Sequence, residues 1–375
     1  MKNPFYYGEA ATGEYFTNRT EEIKSLHSDL SRGQNVIIFS PRRYGKTSLI
    51  KKVLGQLKKD GLLVVYADLC AATSKKKFIE ILTGAIAKAI EGDISKIAKL
   101  LKQLLPRIIP KIIINTEGLP GLELEFKGTK RNISLILDEL FELVPKFIKK
   151  KRKQAVIVLD EFQEILNFED DEIERTFRSH LQFHKGISYV FMGSKKHLIY
   201  DMFSNPNRPF YKSGRMFPLQ KIKAADFEPF IRKSFKNSGI EIDGISIKTI
   251  LDISECHPYY TQLICSILWD RCIGIKKIGK VDITSALKEA IARSSAIYLE
   301  IFDNLTHPQK RLLEAISKDS SDSIYSKEFI LENELGAATS IQRSIKALIR
   351  KGLVEKGNGD YIFSDIIFYK WLRAK

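Results

Sequence analysis

Asn35-Val36-Ile37-Ile38-Phe39 runs directly into Ser40-Pro41-Arg42-Arg43-Tyr44-Gly45-Lys46-Thr47, and Ser48-Leu49-Ile50-Lys51 continues with helical character. The first run is apolar without alternation, the mark of a strand covered on both faces. The loop after it fits G-x-x-x-x-G-K-[ST] at every fixed position but the first, where Ser40 stands for Gly. Such a loop wraps a polyphosphate in backbone N–H groups at a helix start. Gly45 gives the chain a conformation that a Cβ would obstruct, Lys46 places a charge on the outer phosphates, and the Thr47 hydroxyl ligates Mg²⁺. Ser40, Pro41, Arg42, Arg43, Tyr44 and Ser48 complete the expected nucleotide cradle.

Similar apolar runs recur at 62–67 (LLVVYA), 155–159 (AVIVL) and 188–192 (SYVFM), with a weaker one at 215–219 (RMFPL) and helix-like segments between them. Strands alternating with helices predict an α/β fold with a parallel sheet, whose ligands sit at the carboxyl ends of the strands. The 155–159 run ends in Asp160-Glu161. Downstream of the phosphate loop, Asp160 is the candidate Mg²⁺ carboxylate and Glu161 the candidate base for an attacking water; alone, the pair would read as an acidic helix start. Ser194, after the 188–192 run, is a candidate sensor of the terminal phosphate or an ordinary helix cap. Arg208 and Arg215 flank the turn before the last run. Either is a candidate to neutralise transition-state charge, within the chain or from a neighbouring subunit, or else a solvated cation.

The 375 residues allow two or three domains, and 44 % apolar with 28 % charged residues is a globular composition. Lys and Arg outnumber Asp and Glu by 61 to 45, a net charge of +16 that suggests a polyanionic partner. The start, MKNPFYYGEA, has no secretory pattern, and apolar stretches such as 108–114 fall short of the roughly 20 residues a membrane span needs. A cytoplasmic protein without membrane contact is expected. Cys70, Cys256, Cys265 and Cys272 show neither a CxxC pair nor metal-ligand spacing, and are expected to be small core residues in a reducing compartment.

Residues 1–222 are expected to form the nucleotide-binding core, interrupted by an insertion at about 75–150. Within it, 79–105 has Ile, Leu and Ala at helical spacing, and 112–114 with 122–126, around TEGLPG, reads as a β-hairpin. The basic block FIKKKRK at 147–153 reads as a solvated helix end or a nucleic-acid contact. Residues 223–300 read as a helical lid. Residues 301–375 then give three helical segments, RLLEAISK, one starting at Ser326-Lys327-Glu328, and ATSIQRSIKALIR, followed by a hairpin joined through KGNGD. That pattern is a winged helix-turn-helix, with Arg343, Lys346, Arg350 and Lys351 as candidate contacts to double-stranded DNA. With 12 basic and 10 acidic residues in 301–375, however, the wing is not where the excess charge resides, and a structural or protein-docking role stays open.

The segments Tyr15-Phe16-Thr17-Asn18-Arg19-Thr20-Glu21-Glu22-Ile23, FSPRRYGKTSLI, VIVLDEFQEI, Arg208-Pro-Phe-Tyr and His257-Pro258-Tyr-Tyr, with the winged helix, resemble prokaryotic ATPases of the archaeal ATPase domain family, near the STAND and AAA+ groups. The resemblance covers essentially the whole chain. It implies that Phe16 and Arg19 run beside the adenine and that Pro258 meets nucleotide from the lid, although Cys256 stands where the family usually has Gly. Together these readings predict a switch that binds MgATP, closes its lid, repositions the winged helix and resets on slow hydrolysis to ADP, with nucleotide-dependent self-association as a further expectation. The alternative is an initiator-like DNA-binding regulator in which ATP is mainly structural. With neither a second phosphate loop nor an obvious pore loop, a processive ring motor is disfavoured.

Overall fold

The phosphate loop lies between β1 (Val36–Phe39) and α2 (Lys46–Lys59), behind an opening helix α1 (Thr20–Ser31). A computed structural model describes the chain except for positions 1, 9, 12, 91–93, 105–106, 115–119, 127–131, 152, 169, 319–323 and 358–359. All four residues of β1 are buried, as the unalternating apolar run requires.

Next come β2 (Leu63–Asp68), α3 (Lys75–Ile90), α4 (Ile94–Leu104), the strands β3 (Ile108–Ile114) and β4 (Pro120–Phe126), and α5 (Asn132–Lys151). β5 (Ala155–Asp160) then leads through a 3₁₀ turn (Phe162–Asn167) to α6 (Glu172–Leu181), β6 (Ile187–Gly193), α7 (Lys196–Ser204) and β7 (Arg215–Pro218). Five strands form one parallel sheet in the order β2-β5-β6-β1-β7. β6 therefore separates β1 from β5. The chemistry after all three converges at one sheet edge. The α/β fold read from the sequence is present.

The hairpin is longer than its sequence signal, with Ile108 facing Phe126 and Ile114 facing Pro120. Positions 116–119 of its TEGLPG turn, and Arg152 of the basic block, lie outside the described residues. The block otherwise ends α5.

The chain divides into two compact units, Arg19–Gln220 and a second made of Met1–Asn18 with Lys221–Lys375. In the second unit the elements are α8 (Ala224–Asn237), α9 (Gly244–Ser254), α10 (Pro258–Cys272), α11 (Lys280–Asp303), α12 (His307–Lys318), α13 (Lys327–Glu332), α14 (Ala338–Arg350), β8 (Val354–Lys356), β9 (Tyr361–Phe363) and α15 (Ile366–Ala374). The N-terminal segment is held there by single side chains. Phe5 packs on Phe230 and Phe235, with ring centroids 6.0 and 4.7 Å away. The Asn3 amide donates to Ser266 O and Oγ and to Asp270 at 3.0–3.1 Å, and Gln262 bonds both Tyr6 N and Tyr15 O at 3.1 Å.

The three helices and hairpin of the winged helix are present, and a fourth helix, α15, closes it. Phe368 and Trp371 of α15 stack with planes 14° apart, and Trp371 packs on Phe302 of α11. The central positions of the KGNGD turn, 358–359, are outside the described residues. The cysteines differ from expectation. Cys265 and Cys272 are buried on α10, but Cys70 is exposed and Cys256 only partly covered, because both follow the ends of elements where the chain turns outward. Among the described residues, no helix is long and apolar enough to cross a membrane.

Candidate functional site

Gly45 caps α2 with φ 86°, a left-handed conformation that side chains with a Cβ rarely adopt. Ser40 has no positive φ, so the position where the loop pattern asks for Gly places no such demand here; its side chain is 2 % exposed. Lys46 is buried, and its Nζ donates to the carbonyls of Ser40 (2.8 Å) and Pro41 (3.0 Å), which holds the amine inside the loop. Arg42 and Arg43 are exposed at the loop tip, Pro41, Tyr44 and Thr47 are half-buried, and Ser48 is buried in the first turn of α2. Arg19 braces the loop from outside: 5 % exposed, it bonds the Tyr44 carbonyl at 3.0 Å and Glu22 at 2.9 Å.

The end of β5 brings its carboxylates to the same place. Asp160, 4 % exposed, accepts through Oδ2 from the Thr47 hydroxyl (3.1 Å) and the Tyr66 hydroxyl (2.6 Å), and through Oδ1 from the Glu161 N–H (3.0 Å). Burial pushes the Asp160 carboxyl above its ordinary range, against the stabilising bond from Tyr66; burial and the charge of Asp160 push the Tyr66 phenol up as well. A buried carboxylate beside a hydroxyl is a set of hard oxygen donors. It fits Mg²⁺, which is commonly held by one or two protein oxygens together with substrate phosphates. Among the described residues no three His, Cys, Asp or Glu side chains cluster as a metal cage.

Glu161 turns away from the strand with φ 51°. Its Oε2 accepts from Ser194 Oγ (2.7 Å), Ser194 N–H (3.3 Å) and Gln163 Nε2 (2.5 Å). Burial works to raise the Glu161 carboxyl, but the bonds from Gln163 and Ser194, with the nearby charge of Lys46, more than offset it and leave the group below its ordinary value. Two adjacent carboxyls are thus driven in opposite directions, the pattern of groups with different tasks. Glu161 stays ionised and able to accept a proton. Gly193 allows this arrangement, because a Cβ there would stand 2.2 Å from Gln163 Oε1 and 2.5 Å from Ile199.

The structure thus joins Ser40, Lys46, Thr47, Asp160, Glu161 and Ser194 in one network, with Arg19 behind it. Arg215 is not among them. Register pairs Arg215 with Val36 and Pro218 with Phe39, so Arg215 lies at the amino end of the sheet, about 10 Å of strand from the loop. Its guanidinium bonds Asp29 and, at 2.8 Å, Ser25 of α1. Arg208 faces Glu174 and Asp201 at 3.4 Å. Phe16 and Pro258 belong to the other unit. Pro258 opens α10 behind Cys256, whose φ of 55° explains why Gly is usual at that place and costs about 1 kcal/mol for a side chain that has a Cβ. Arg343, Lys346, Arg350 and Lys351 are exposed, the first three along one side of α14.

Tyr66 and Gln163 escaped the sequence reading. Tyr66 reaches Asp160 because β2 is the strand beside β5, a neighbour relation that no local motif reveals. Gln163 lies two residues past Glu161, and its spacing was the signal available.

No curated protein matches the chain in sequence. In fold it is similar to the Walker-type ATPase PABY2304 of Pyrococcus abyssi, at 14 % identity over 96 % of this chain and 97 % of that one, with a TM-score of 0.63. It is also similar to the Aeropyrum pernix ORC2 protein in its ADPNP–ADP complexes (13 % identity, 96 % and 95 % covered, TM-score 0.56) and in its ADP form (14 %, 95 % and 94 %, TM-score 0.52). Residues 296–374 match a family described as a probable winged helix domain. Residues 16–251, more than half of the chain, match the family described as an ATPase domain predominantly from Archaea, and to that family the chain belongs.

Proposed function

We propose that the protein is an ATP-binding switch that hydrolyses ATP and couples its nucleotide state to the C-terminal winged helix. The observation that carries this reading is the clamp on Glu161. Three hydrogen bonds to one carboxylate oxygen, Oε2, fix the group in place beside the phosphate loop, and the carboxyl stays ionised, the form that can take a proton. The loop amides from Ser40 to Thr47 wrap the phosphates, and Lys46 exchanges its carbonyl partners for phosphate oxygens. Thr47 and Asp160 would hold Mg²⁺, which neutralises charge on the outer phosphates when bound. Glu161 takes the proton of the attacking water, and Ser194 beside it senses the terminal phosphate. The fold similarity to ORC2, a protein whose structures contain ADPNP and ADP, is consistent with the nucleotide ligand.

With Arg215 at the far end of the sheet and Arg208 facing Glu174 and Asp201, this unit supplies neither as a charge-neutralising arginine at the loop. Slow basal turnover follows, with acceleration by a neighbouring subunit or partner. Glu161→Gln is the direct test: turnover falls about 10²–10⁴-fold with nucleotide still bound. Equal turnover in wild type and variant would remove Glu161 as the base.

The second reading, a DNA-binding regulator in which ATP is mainly structural, is favoured by the exposed row of Arg343, Lys346 and Arg350. It predicts duplex binding indifferent to nucleotide, together with absent turnover in the wild type.

A further inference from the structure

Arg19 stands where local structure disfavours an arginine. It precedes α1 at the cap position, with φ 83° and no side-chain bond to the N–H groups of the helix start. A left-handed backbone is rarely adopted by residues other than Gly, Asn and Asp. A cation at a helix N-terminus meets the positive end of the peptide dipoles, and Ser, Thr, Asp or Asn is the usual residue there. The side chain is also buried, which charged groups avoid unless they are paired. Three local costs at one residue point to a task elsewhere in the fold.

The two arms of the guanidinium show what that task is. Nη1 donates to Glu22 at 2.9 Å and Nη2 to the carbonyl of Tyr44 at 3.0 Å, all within the unit that holds the sheet. The Tyr44–Gly45 peptide is trans, so the Tyr44 carbonyl and the Gly45 N–H point in opposite directions from one planar group. Holding the carbonyl toward Arg19 therefore turns the Gly45 N–H the other way. Gly45, at φ 86°, has no Cβ to limit its rotation, so this peptide needs a hold from outside. We infer that Arg19 is a positioning residue for the phosphate loop, which fixes the Tyr44–Gly45 peptide so that the Gly45 N–H faces the phosphates. The inference rests on the phosphate-site reading and refines it, since the family resemblance implies a place beside the adenine for Arg19. An effect exerted through the loop is felt by any polyphosphate, whatever base it carries. Lysine cannot replace the arginine fully, because its ammonium lacks the planar fork that reaches a carboxylate and a carbonyl at once.

The test compares the full chain with Arg19→Met, which keeps the length and loses the donors, and with Arg19→Lys. Competition against a fluorescent ATP analogue gives the affinities of ATP, GTP and inorganic tripolyphosphate with Mg²⁺, well below the unfolding transition followed by circular dichroism. Arg19→Met is expected to weaken all three about tenfold, the order of one hydrogen bond to a charged group, with the ratio of ATP to GTP affinity as in the wild type. Arg19→Lys, which keeps the charge but cannot hold both partners, loses about threefold, again equally for the three ligands. A merely structural role would lower the melting temperature and leave the three affinities of both folded variants unaltered, and that result would overturn the inference. So would wild-type tripolyphosphate binding with a changed ratio of ATP to GTP, which would return Arg19 to the base. Lys46→Ala, measured alongside, separates this inference from the reading beneath it. Binding lost in Lys46→Ala but kept in Arg19→Met removes only the role of Arg19, and wild-type affinities in both remove the phosphate site together with it.

Discussion

At the carboxyl edge of the sheet, Thr47, Tyr66, Asp160, Gln163, Glu161 and Ser194 are tied by bonds of 2.5–3.3 Å, and each atom has a set place. On α14, Arg343, Lys346 and Arg350 stand exposed on one side of a helix, about a turn apart. In the readings proposed above, both regions would meet phosphates. They differ in what a displacement of an ångström would do. A base that removes a proton from water needs fixed geometry, so its residues come with fixed neighbours in the chain. A row of cations meeting a charged rod tolerates sliding, so its residues need only share a face.

The largest test of this contrast is Lys46→Ala. Loss of a charged contact inside the ordered site should weaken nucleotide binding about 100-fold in a fluorescent-nucleotide titration. An affinity within about threefold of the wild type would mean that the loop is not the phosphate site. On the tolerant side, Arg343→Ala with Lys346→Ala should lower duplex affinity about tenfold and the salt slope by about 2, with ATP turnover unchanged. Undiminished duplex binding would make the winged helix a protein-docking or structural element.

A smaller effect separates positioning from bulk stability. Tyr66→Phe removes the 2.6 Å bond to Asp160. The Mg²⁺ concentration for half-maximal stimulation of nucleotide binding should rise about fivefold, as one hydrogen bond contributes about 1 kcal/mol. Binding without Mg²⁺ should be unaltered, and loss of both together would reduce Tyr66 to a packing residue. The smallest effect belongs to Arg215→Ala. Basal turnover should stay within about twofold, and stability should fall by at most about 1 kcal/mol with the loss of the exposed pair to Asp29. A hundredfold fall in turnover of an assembled form would instead give Arg215 a role across subunits.

The same contrast explains what was legible in the sequence. Strands, their order along the chain and the residues at their carboxyl ends were readable because burial on both faces forbids alternation, and because the phosphate loop has fixed spacing. Strand neighbourhood was not readable, which hid Tyr66 on β2 and made Arg215 look close to the loop when register places it at the opposite end. The N-terminal segment was read with the nucleotide core, since Phe5, Asn3 and the backbone of Tyr6 attach to α8 and α10 by isolated contacts without periodicity. α15 was missed for a related reason: IIFYKWLRA is short, and its identity depends on aromatic packing against α11.

The position of that N-terminal segment also orders events during synthesis. Residues 1–18 belong to one unit, Arg19 to Gln220 make the whole of the other, and the chain then returns to the first. Asn3 is made early, but its partners Ser266 and Asp270 emerge some 260 residues later. The sheet unit has all of its own residues while the ribosome is still supplying the helices, so it can fold first as an autonomous body. The second unit is completed only when residues 1–18 and 221–375 are both present. Two covalent crossings connect the units, at 18–19 and 220–221, and a single proteolytic cut at either one leaves them joined through the other.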